Sequence, residues 1–273
     1  MAKIQARLYR AAVYAGAAIS VGVLVLIVGY ILIKGIPHLS PELFAWEYNS
    51  TNVSMMPSII NTLLMTLLSL LVCVPLGIGA AIYLTEYAPR GSRLVKLVRM
   101  TAETLSGIPS IIYGLFGSLF FVVAMGMGLS LLSGALTLSI MVLPTIMRTT
   151  EEALLAVPDS YREGSFGLGA GRLRTTFKVV LPSAVPGILS GVILAIGRIV
   201  GETAALMYTS GTVAKVAGLM DSGTTLALHM YKQASEGLYL NEAYATSVVL
   251  LALVLLINLL SAKAAKLMVK GRG

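Results

Sequence analysis

Two charged residues inside an otherwise apolar run mark the place where this chain could do chemistry. The segment 183–208 is apolar apart from Arg198 and Glu202. A charge at the centre of a bilayer costs about 2.5–3.5 kcal/mol on insertion scales, so each needs a compensating reason. Four residues apart on a helix, the two share a face and can neutralise each other. Gly187, Gly191 and Ala195 continue that face as a stripe of small residues leading to the guanidinium. Two readings stay open. One is a structural ion pair that holds helices together. The other is an anion site, because guanidinium grips oxyanion oxygens with a fork of N–H donors. In the second, Glu202 tunes Arg198 or accepts a hydrogen bond from a protonated oxyanion.

A second stretch, Glu163 to Pro182 (EGSFGLGAGRLRTTFKVVLP), is a polar and basic island between long apolar segments. Lying outside the bilayer, it is a candidate surface for a soluble partner. Ser160 and Glu163 have the S-x-x-E form of a capping box, so a short helix is expected to start at Ser160. The glycines 167, 169 and 171 weaken it, and a left-handed glycine is a common helix ending. A second short helix, about 172–180, is expected to stop before Pro182. The alternative is a solvated amphipathic link. The loop does not itself bind ATP. Gly164 and Gly169 have the glycine spacing of a P-loop, but Ala170 stands where its lysine is required.

No nucleophile–base constellation stands out. His38 and His229 are isolated in polar links without cysteine or acidic clusters and read as surface residues. Cys73, the single cysteine, reads as a small buried side chain and rules out an intrachain disulfide.

The elements that position these residues follow from composition. The chain is 57% hydrophobic and 12% charged, about half the charge of an ordinary globular domain, and several runs reach the roughly twenty apolar residues a spanning helix needs. Six spans are expected at about 11–33, 57–85, two within the uncharged tract 104–147 divided near Gly126 and Gly128, 183–208 and 243–262. The Gly- and Pro-rich SGIPSIIYGLFG, 106–117, reads either as close helix packing or as the lining of a substrate path. The net charge of +8 sits in the N-terminus, in 86–103, in 148–182 and after 262. That is the positive-inside pattern of cytoplasmic segments rather than a nucleic-acid surface. The expected fold is thus an all-α integral membrane protein, a single domain over 1–273 with both ends cytoplasmic and the 151–182 loop projecting inward.

E-G-S, three residues, Gly169, nine residues, then V-V-L-P resembles the EAA loop of ABC importer permeases. Glu163, Gly169, Leu181 and Pro182 match in register, while Gly164 and Ser165 stand where the family has two alanines. With GRIVGETAAL, SGIPSIIYGLFG, LTEYAPRG and VPDSYREG, the chain is similar to the permeases of phosphate-specific transport (Pst) importers. The G-E-T-A wording and the short N-terminus look more like the PstA subunit than PstC. The resemblance implies a type I ABC importer permease in a bacterial or archaeal cytoplasmic membrane, non-catalytic and without a cofactor of its own. ATP and magnesium would be held by a PstB-like ATPase dimer docked on Glu163, Gly164, Ser165, Gly169, Leu181 and Pro182. The other implied partners are a PstC-like second permease and a PstS-like binding protein outside. Arg198 and Glu202 would lie on the phosphate path. Rival readings are a permease for molybdate, sulfate or phosphonate, and, in another class, an ion-coupled secondary carrier.

Overall fold

Apolar runs become long helices because, in lipid, each backbone group must find its partner within the segment. The computed structural model describes residues 2–89 and 91–270. Arg90, Arg272 and the side chains of Lys3, Arg7, Lys266 and Lys270, part of the basic pattern, lie outside the described part. In chain order the helices are α1 (Ala2–Gly35), α2 (Met56–Tyr87), α3 (Arg93–Ser106), α4 (Ser110–Ala124) and α5 (Leu131–Leu155). After them come α6 (Asp159–Gly167), α7 (Arg172–Val200), α8 (Ala204–Thr209), α9 (Leu226–Glu236) and α10 (Leu240–Lys270). Five are long and apolar enough to cross a bilayer, and the bent pair α3–α4 makes six when the pair is counted as one span.

α5 is the central helix. In its most apolar window 67% of residues are buried within the chain, against none for α1, so α1 lies at the periphery and packs mainly on α10. The core joins α2, α5, α7 and α8 through Met65, Leu138, Met141, Ile146, Ile199 and Leu206. Cys73 is buried there as expected.

Both ends of α5 are held by other segments. The backbone N–H groups of Leu131 and Leu132 donate to the carbonyls of Asp221 and Leu219 at 3.0 and 2.9 Å, and the Ser130 side chain caps Ser133 N–H. These bonds satisfy donors that a helix start leaves unpaired. The 211–225 segment that supplies them is pinned by Asn61 of α2. The Asn61 amide donates to the carbonyls of Lys215 and Thr224 and accepts from Ala217 N–H.

Several expectations need correction. The third span does not begin near Thr104. Gly107–Pro109 breaks the chain, because the residue before a proline is pushed out of helical geometry, and α3 meets α4 at 102°. α4 has 15 residues, about 22 Å at helical rise and short of a full crossing. The turn that follows does use Gly126 and Gly128, at φ +67° and +63°. Ser160 is not a cap: α6 opens at Asp159 after Pro158, with no side-chain cap bond. Nor does the second helix stop before Pro182. A π turn, Thr176–Val180, precedes the proline, and this wider turn absorbs the missing N–H, so α7 runs on to Val200. Gly169 does end the α6 turn in the left-handed region, at φ +83°.

His229 is not a surface residue. It lies in α9, outside the spanning helices, 4% exposed, with Gln233 Nε2 donating to its Nε2 at 2.9 Å. Tyr48 packs on it edge-on from another segment, and the Lys232 charge lies one turn along the same helix. Burial above all, with a smaller push from Lys232 against a hydrogen bond to the Val53 backbone, lowers its pKa to about 4. Below pH 6.5 the unfolded chain takes up a proton that the buried ring refuses until about pH 4. Stability present above pH 6.5 is therefore lost as pH falls toward 4, by about 3 kcal/mol in total. Melting curves in detergent from pH 7.5 to 4 should show this slope for the native chain and a flatter one for His229→Gln.

Candidate functional site

Arg198 and Glu202 do not form the ion pair that their spacing suggested. α7 ends at Val200 and Gly201 turns the chain, so Glu202 is no longer one helical turn from Arg198 on the same helix. The Glu202 carboxylate instead accepts from Ala205 N–H at 3.1 Å, stabilising the first turn of α8, and is 9% exposed. Among the described residues Arg198 has no hydrogen bond and no ion pair. It lines a cleft of about 610 Å³ with Thr145 of α5, Ser190, Ile193, Leu194 and Gly197 of α7, and Asn258 of α10. The Oδ1 of Asn258 is buried and has no partner among the described residues. This cleft therefore carries a guanidinium, whose N–H fork suits a small oxyanion, beside the Asn258 amide and the Thr145 hydroxyl, while the Ser190 hydroxyl donates to the Pro186 carbonyl at 3.0 Å. Asn258 was readable in the sequence only as a lone amide in an apolar span. Glu202 is not among the lining residues.

The small-residue stripe has a different use. A Cβ on Gly187 would lie 2.6 Å from Ala153 Cβ, and one on Gly191 2.7 Å from Thr149 Cβ. These glycines let α7 approach α5. Gly114 and Gly117 of the SGIPSIIYGLFG stretch likewise meet Ala205 and Thr137, which is close packing of α4 on α8 and α5. Gly191→Ala should destabilise by about 1–3 kcal/mol through overpacking, read as a lower melting temperature. Gly197→Ala has nothing within 4 Å of its new Cβ and should leave stability equal or higher.

On the other face, α6 and the start of α7 form a knob. Glu163, Gly164 and Gly169 are exposed, and a Cβ on either glycine would meet nothing within 4 Å. Ser165 Oγ and Thr175 Oγ1, 2.9 Å apart, tie the two helices together. Leu181 and Pro182 are half-buried at the root of the long helix. In the same loop Phe166 is 47% and Leu168 91% exposed. Two large apolar side chains at the tip of a basic loop are what sequence reading missed, since pattern alone did not tell which side of the knob they would take.

The backbone arrangement is that of type I ABC importer permeases. It superposes on an inward-facing structure of the MetNI methionine ABC transporter with a TM-score of 0.60, covering 88% of this chain and 97% of that one at 20% identity. It also superposes on a bacterial alginate ABC transporter with a TM-score of 0.65, 95% and 97% coverage and 17% identity. The chain belongs to the family of binding-protein-dependent transport system inner membrane components, whose profile matches residues 73–271. It is 37% identical to the probable ABC transporter permease protein YqgI of Bacillus subtilis, over 71% of this chain and 67% of that protein. It is 38% identical to the phosphate transport system permease protein PstA 1 of Mycobacterium tuberculosis, over 55% and 49%. To PstC of Mesorhizobium japonicum it is 32% identical, over 78% and 72%. Against several of these curated relatives the match spans about half of their length.

Proposed function

We propose that this chain is a transmembrane permease subunit of an ATP-driven phosphate importer, forming half of the translocation path. The observation that carries the reading is the guanidinium of Arg198, without a hydrogen bond or ion pair among the described residues, in its cleft with Asn258, Thr145 and Ser190 around it. A charge kept in a spanning helix without a protein counter-ion is costly, and that cost is offset when an oxyanion occupies the fork. Phosphate is favoured over other oxyanions because relatives named as phosphate transport permeases share up to 42% identity with the chain. A PstA-type role over a PstC-type one is supported by the G-E-T-A wording around Glu202.

In this reading Glu163, Gly164, Ser165, Gly169, Leu181 and Pro182, with the exposed Phe166 and Leu168, dock on a separate PstB-like ATPase dimer that holds ATP and magnesium. A PstC-like permease completes the path, and a PstS-like protein delivers phosphate from outside. The test is ATP hydrolysis by the complete complex in liposomes. With binding protein present, phosphate should stimulate it, and sulfate and molybdate should not. Uptake by this chain alone, driven by an ion gradient, would establish a secondary carrier instead.

A further inference from the structure

We infer that Arg162 is the joint through which movement of α6 is passed to α2, a positioning role that rests on the importer reading above. The guanidinium of Arg162 uses all five of its N–H donors. Its Nε and Nη2 donate to the Glu86 carboxylate, at 3.2 and 2.7 Å. Nη2 also donates to the carbonyl of Leu154 at 3.0 Å. Nη1 donates to the carbonyl of Val157 at 2.8 Å and to Asp159 Oδ1 at 3.2 Å. One side chain of the docking helix thus holds the end of α2 and the last turn of α5 together.

The Glu86–Arg162 pair is shielded: the two side chains are 8% and 15% exposed. Asp159, at 72%, contributes a solvated contact of the kind that is worth little. Glu86 sits in a π turn, Tyr83–Tyr87, that closes α2, with Ala88 N–H bonding back to the Tyr83 carbonyl at 2.8 Å. The extra residue in that turn shifts the helix face by about 100°, and such turns recur at functional sites. A second tether lies beside the first: the Arg172 guanidinium stands 5.5 Å over the Tyr87 ring, so α7 also grips this turn.

The consequence is mechanical. Glu163 and Gly164, the next residues along, face open space, while Arg162 faces inward and is bonded to α2 and α5. A push on the outer face of α6 cannot displace it without carrying the inner end of α2 or breaking the fork. α2 in turn holds the 211–225 segment through Asn61 at its far end. Motion at the inner face therefore has a bonded route to the opposite face.

Glu86→Ala cuts the Arg162 link to α2 and leaves the Arg162 bonds to Leu154, Val157 and Asp159, and the Arg172–Tyr87 contact, intact. In the reconstituted complex with binding protein and inorganic phosphate, it should retain ATP hydrolysis while phosphate moved per ATP falls at least about tenfold. Asp159→Asn should not change that ratio. A Cys73→Ser, Glu86→Cys, Arg162→Cys chain should show the same low ratio, and a short bis-thiol cross-linker should raise it toward the native value. An unchanged ratio in Glu86→Ala overturns the inference, as does a cross-link that does not form or does not rescue. Where Glu86→Ala fails to assemble, the cross-linked chain decides alone. Native complex that hydrolyses ATP without response to phosphate would instead overturn the importer reading.

Discussion

Arg198→Ala, in the complete complex, is expected to reduce phosphate import about 10- to 100-fold without lowering the melting temperature. Both halves of that result follow from one geometric fact: the guanidinium has no partner among the described residues. Hydrogen bonds to a charged group contribute about 1.5–3 kcal/mol each, and each 1.4 kcal/mol is a factor of ten, so a net loss equal to one such bond on the anion gives that range. A structural ion pair behaves differently, because breaking a buried one destabilises by about 3–5 kcal/mol. Arg198→Lys keeps the charge but not the planar fork and should fall between. Uptake of labelled phosphate by proteoliposomes, beside thermal unfolding of the same sample, separates the outcomes. A stable Arg198→Ala complex that imports at the native rate would remove Arg198 from the path.

The second large effect is expected at the knob. Phe166 and Leu168 are exposed on the basic α6–α7 knob and are absent from the apolar core clusters among the described residues. Burying a side chain of this size yields about 1.5–3 kcal/mol. Replacing both with serine should therefore weaken capture of the ATPase about 100-fold or more, while the permease melts at its native temperature. Titration of the purified ATPase against the permease in detergent measures this directly. Undiminished affinity would mean that docking uses the Glu163 side of α6 and not its apolar tip.

How much of this was legible beforehand differs between residues for physical reasons. The apolar runs mark the five long helices without help from packing, because lipid forces backbone bonds to close within each segment, whereas the 102° bend between α3 and α4 appeared only in the structure. The left-handed Gly169 and the turn at Gly126 and Gly128 were legible too, since few other residues tolerate positive φ. Glu86 was visible only as one more charge in a polar link. Its partner is 76 residues away, and no local rule pairs them.

The same division holds for the site. That Arg198 sits in an apolar run is a property of the sequence, and so is the cost of keeping a charge there. Whether Glu202 neutralises it depends on where α7 ends, and Val200 is its last residue, two short of Glu202. Whether Gly187 and Gly191 line a path or pack a helix depends on what lies opposite, and α5 lies there. The sequence by itself marked the long apolar segments and the residues that carry charge into them. Only the tertiary structure decided which of those charges are paired, because pairing joins groups distant in the chain.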